Sequence, residues 1–215
     1  MIGRHIPWVL ASLSLSVGCR GDRAKWEYGR GVGLEQVGRH DEALVAFQTA
    51  VNLNPHVGAF QARLGAALIR ASRVEEAEVA LREAVRLSPQ DPVSRLWLGI
   101  ALTRLGRFGV AVPILRESVA LDSRKANAYA WLGLALQGAG DAPGAKGALS
   151  EAIRLNPNDA AVHRHLALLL ESLGDHADAA ANLARAHELA AKSSRPPGDL
   201  LADPGSGQED DPAPQ

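Results

Sequence analysis

Apolar and small positions recur along the chain at a fixed step of 34 residues. Leu64, Leu98, Leu132 and Leu166 form one series, and Gly31, Gly65, Gly99 and Gly133 a second. Ala43, Ala77, Ala111, Ala145 and Ala179 form a third. Two more run Phe47, Leu81, Leu115, Leu149, Leu183 and Ala50, Ala84, Ser118, Ala152, Ala186. Pro55, Pro89 and Pro157 belong to a sixth, whose missing beat is Ser123. Six aligned series without an insertion make chance a poor explanation. A period of this length means stacked units, none of which can bury its apolar face alone.

Each unit predicts two helices. Gly38, Gly106, Gly140 and Gly174 fall at the turn between them, where a left-handed residue ends the first helix. Asp41, Glu42, Glu75 and Glu76 follow at the positive end of the second helix. Pro55, Pro89 and Pro157 stop that helix, having no N–H to continue it. Asp91-Pro92 reads as an N-cap followed by a proline at the first helical position. The Leu-Gly pairs on the first helices and the alanines on the second permit close helix crossing. Leu81, Leu115 and Leu149 are then expected to fill the gap toward the next unit.

Composition agrees. Ala (38) and Leu (30) dominate the apolar residues while aromatics are only 4%, which favours an all-α chain over a sandwich or barrel. A net charge of −1, with basic residues dispersed among acids, argues against nucleic-acid binding by bulk charge. The single Cys excludes an intrachain disulfide framework and a thiolate metal cluster.

The 34-residue helix–turn–helix unit resembles the tetratricopeptide repeat (TPR). Five units fit one unbroken frame: 24–57, 58–91, 92–125, 126–159 and 160–193, within a repeat region spanning 20–193. The resemblance implies a right-handed superhelical solenoid whose first helices line a concave groove that binds a protein partner. Carried onto this sequence, the groove comprises Tyr28, Arg63, Ile69, Arg70, Leu96, Trp97, Ile100, Arg104, Asn127, Trp131, Leu134, Arg164, His165 and Leu168. One TPR subtype clamps a carboxylate with Lys and Asn on its first unit. Tyr28 and Val32 stand there instead, so that clamp is not supported. An apolar floor edged by arginines suits an amphipathic helix or an extended segment with acidic residues. Trp97 and Trp131, one unit apart, are either partner hot spots or packing between units.

Three units depart from the pattern. Unit one carries Arg30 at the leucine position, between Gly29 and Gly33, which predicts the weakest first helix. Gly109 and Pro113 in unit three predict a late start or a slight kink. Unit five has Ala167 for Gly and no closing Pro, so its last helix, about 177–191, is itself the solvating cap or a docking face.

The ends differ from the repeats. Arg4 and His5 precede an apolar stretch from Ile6 to Val17 that meets Gly18 and Cys19, the pattern of a secretory signal over residues 1–19. Val17-Gly18-Cys19 resembles the lipobox of bacterial lipoproteins, although Ser16 stands where Leu is usual. Lipidated Cys19, ordinary cleavage after Gly18, and a helix with a buried Cys are the three readings. A Cys carrying two or three acyl chains would anchor stably in a membrane. Residues 194–215, rich in Pro, Gly and acid, are expected to be disordered.

No catalytic constellation is apparent. His163 and His165 are two apart on a predicted helix and point to different faces, and nothing sets a metal spacing with His176 or His187. Gly29 to Gly33 follow no strand and lack the ending of a phosphate loop. Neither a cofactor nor an enzymatic activity is expected. The expected role is an exported scaffold of the bacterial cell envelope that binds a protein segment, in the manner of repeat lipoproteins that help envelope machines assemble. The alternative is an accessory subunit presenting an apoprotein, as in cytochrome c maturation.

Overall fold

A computed structural model describes residues 8–192, with side chains from Arg20. Residues 1–7 of the signal segment, the side chains of 8–19 with that of Cys19, and the tail from Ser193 lie outside the described residues. Among those residues there are ten α-helices and no strand. The chain runs α1 (Trp8–Gln36), α2 (His40–Leu53), α3 (Gly58–Arg70), α4 (Val74–Leu87), α5 (Pro92–Arg104), α6 (Phe108–Leu121), α7 (Ala126–Gly138), α8 (Ala142–Leu155), α9 (Ala160–Ser172) and α10 (His176–Lys192). Consecutive helices pair as hairpins. Each first helix also packs on the second helix of the preceding pair, and α3, α5, α7 and α9 form a row. The fold is an all-α helical solenoid.

The turn chemistry explains the even beat. Gly38, Gly106, Gly140 and Gly174 have φ of 75°, 70°, 83° and 79°, the left-handed region that glycine enters without a Cβ penalty. Unit two has Ser72 at this place, with φ of 60°. Asp91 caps α5, accepting from the N–H groups of Val93 (3.1 Å) and Ser94 (3.0 Å). Asp141 and Asp159 cap α8 and α9 in the same way.

The small residues act at the helix crossings. A Cβ on Gly65, Gly99 or Gly133 would fall inside the contact distance of Leu81, Leu115 or Leu149. These leucines therefore seat first against the glycine of their own unit, rather than only toward the next unit. All three are fully enclosed. Ser118, in the alanine series, donates its hydroxyl to the Pro92 carbonyl at 2.8 Å, so its burial leaves no unmet hydroxyl.

Unit three does not start late. The α6 helix begins at Phe108, in step with Val74 and Ala142, and continues through Pro113. Pro113 and Gly109 are both exposed, so the Gly109 carbonyl deprived of its N–H partner can be hydrated. In unit one the first helix runs unbroken to Gln36. Arg30 pairs with Glu27 at 2.9 Å, and its guanidinium lies 5.7 Å from the Trp26 ring.

Candidate partner-binding face

The row of first helices brings the predicted groove residues near one another but treats them in two ways. Ile69, Ile100 and Trp131 are enclosed, and Tyr28, Leu96 and Trp97 are buried as well. Tyr28 is part of the unit-to-unit joint, with its ring centroid 4.9 Å from that of Phe60 and 5.8 Å from that of Phe47. These six side chains have little surface to offer a partner. Their expected place on the groove floor is corrected to the packing beneath it. The aromatic pair follows the packing alternative: Trp97 and Trp131 fill space between helices.

The half-exposed group is polar. Arg70 and Arg104 lie over Trp97 and Trp131, each guanidinium 5.9 Å from the ring centroid. A guanidinium at this distance from an indole centroid is within reach of a cation–π contact. Arg70 also pairs with Glu35, and Arg63 reaches the same carboxylate at 3.5 Å. Arg104 donates to the Ile69 carbonyl at 3.2 Å. The first half of the row is thus closed by its own ion pairs, because Glu35 neutralises part of the charge that Arg63 and Arg70 bring.

The second half adds a well-exposed apolar side chain. Asn127, Leu134, Arg164 and His165 are partly exposed, and Leu168 is 57% exposed. Leu134 packs one side on the core while keeping some surface. An apolar side chain and Arg164 on the same row of helices suit a segment that combines a hydrophobic side chain with an acid.

Sequence reasoning missed Glu35 and Glu78. Glu78 on α4 takes Arg107 across the unit boundary at 2.7 Å and Arg82 within its own helix at 2.9 Å. A signal existed for the stacked arginines: Arg70 and Trp97 are separated by the same spacing as Arg104 and Trp131, one repeat apart. Repeated cross-unit spacings, and not only repeated positions, would have found them.

His163 serves structure here. Buried His163 meets the Asn182 side-chain oxygen at 3.0 Å and the Pro157 carbonyl at 3.2 Å. Gln61, at the equivalent place in unit two, holds the Pro55 carbonyl at 3.2 Å. Both tie a first helix to the loop that precedes it. Among the described residues, no group of three His, Cys, Asp or Glu side chains is placed to hold a metal ion. No helix among them is long and apolar enough to cross a membrane.

Comparison with known proteins places this geometry. The family model described as Cilia and flagella-associated protein 70 C-terminal domain, CFAP70_TPR_C, matches residues 28–203. A structure titled "MamA 41-end from Desulfovibrio magneticus RS-1" superposes with a TM-score of 0.70 at 24% identity, covering 81% of this chain and 98% of that one. "MamA RS-1 ArsTM double mutant" gives 0.69 at 24% identity over 80% and 96%. "Crystal structure of MamA" gives 0.65 at 23% over 75% and 95%. At these identities the likeness establishes the fold alone. No curated protein sequence matches.

Proposed function

The chain belongs to the family of the cilia and flagella-associated protein 70 C-terminal domain, a TPR-type family, and from that premise we propose that it is a non-catalytic protein-binding scaffold. A partner segment lies along the first helices, seated mainly on units four and five. The observation that carries this reading is the contrast along the row. Glu35 engages Arg63 and Arg70 in the first half, whereas Leu168 in the second presents an apolar side chain that is 57% exposed. The partner segment is short, apolar on one side and acidic beside it, matching Leu134 and Arg164.

The N-terminal pattern supports an exported form, held at the bacterial cell envelope by lipid on Cys19. Assembly of an envelope machine is the role that suits an anchored scaffold without chemistry of its own.

Two measurements test the two halves of the reading. A photo-crosslinking residue at Leu134 should capture a partner protein, and the same residue at exposed Val79 on α4 should not. Equal capture at both positions, or none at Leu134, overturns groove binding. Mass spectrometry of the mature N-terminus should find an acylated Cys19, and an unprocessed Met1 overturns export with anchoring.

A further inference from the structure

Units join along the chain by one repeated contact. Phe60 of unit two is buried against unit one, where it stacks on Tyr28 beside Phe47. Its equivalents one, two and three units on, Ser94, Ala128 and Val162, are buried in the same way. One repeat before Phe60 stands Trp26, the first member of that series. No preceding unit stands among the described residues for it to enter, and it is 63% exposed.

The opposite end of the solenoid carries the matching socket. A cavity of roughly 130 Å³ lies between α9 and α10, lined by Ala160, Ala161, Arg164, Leu183, Ala186, His187 and Ala190. Four repeats earlier, Arg164 corresponds to Tyr28, Leu183 to Phe47 and Ala186 to Ala50. The cavity therefore stands where unit one receives Phe60. Leu183 is 41% exposed there, whereas its equivalents in the four preceding units are fully enclosed.

We propose that Trp26 of one copy enters the α9–α10 cavity of a second copy, joining chains head to tail. The occupant is a second copy because plug and socket are the two halves of an interface that this chain already builds four times within itself. Arg164 replaces Tyr28 as the facing group, and it offers Trp26 a guanidinium plane. The chain already uses that pairing at Arg70–Trp97 and Arg104–Trp131. Plug and socket lie on different surfaces, so the contact is heterologous and leaves a free end on each side. Copies then add in line, or close into a ring if the rotation permits. Arg164 borders both this cavity and the proposed groove, but neither the plug nor the socket variants alter it, so self-association and groove binding fail separately.

Sedimentation velocity of the full chain over a concentration series tests it. The wild type should associate progressively. Trp26→Ala should weaken self-association by about tenfold or more while retaining the helical circular dichroism. Leu183→Asp should do the same from the socket side, and Ala190→Arg serves if Leu183→Asp does not fold. Mixing the plug variant with a folded socket variant should give one-to-one pairs that grow no further, since each supplies the half the other lacks. A wild type that stays monomeric overturns the proposal, as does Trp26→Ala associating like the wild type or a mixture that does not pair. So does a full chain that associates only after removal of residues 193–215, because the tail would then be the occupant.

Discussion

Leu149 and Leu183 are the same residue type at the same place in adjacent units, and only one of them is enclosed. Leu149 sits against Gly133 in the middle of the solenoid with no exposed surface. Leu183 has Ala167 at the equivalent place in the last unit, with no further unit among the described residues to cover it. Trp26 differs from Phe60 in the same way at the other end. The lesson is that a repeat's sequence specifies a half-interface, and burial requires a neighbour to supply the other half. Interior units obtain it from the chain itself, and the terminal units must obtain it elsewhere or remain open.

Truncation should give the largest contrast. Leu149→Ala should destabilise the fold by about 3 kcal/mol, through lost burial plus the cavity left behind. Leu183→Ala should cost less than about 1 kcal/mol, because much of that side chain already meets water. Urea unfolding of both variants as monomers checks this, and equal costs would erase the distinction between middle and end.

A smaller effect follows from the glycine beneath the leucine. Gly99→Ala places a Cβ inside contact distance of Leu115. The overpacking should exceed the gain in helix propensity and leave a net loss of about 1–2 kcal/mol. Unit five already has Ala167 at this position, so Ala167→Gly should bring no comparable gain. A stabilised Gly99→Ala variant would show that the crossing can relax and that the glycine series is not set by packing.

Acid gives the smallest effect. Hydrogen bonds from Lys192 and then Arg185 hold the Glu188 carboxyl down at about 2, below its ordinary 4.5. A folded value below the unfolded one means that this contribution is present at neutral pH and disappears as pH falls through the folded value. Exposure and salt keep it small. Hydrogen exchange should therefore show α10 losing protection before α8 as pH drops from about 5 to 2, with Glu188→Gln reducing the difference. An unchanged difference in that variant would assign the fraying of α10 to its missing neighbour alone.

The element pattern was readable because its causes are local. The left-handed turns at Gly38, Gly106, Gly140 and Gly174 and the cap at Asp91 each act over a few residues. Ser72 takes the same left-handed turn in unit two, with φ of 60°, although it lacks glycine's freedom there. The site was less readable. Trp97 and Trp131 carry the same signal whether they face a partner or a neighbouring helix. The decision depended on Arg70 and Arg104, which arrive from the preceding unit and lie over the rings. Glu35 was hidden because its partners, Arg63 and Arg70, belong to the next unit.

By itself the sequence determined an all-α chain, its beat of 34 and the close crossings of Gly, Ala and Leu, since these depend on backbone geometry and residue size. Only the tertiary structure decided which large side chains are enclosed. Burial belongs to pairs of neighbouring units, and identical sequence positions in the middle and at the ends do not have the same neighbours.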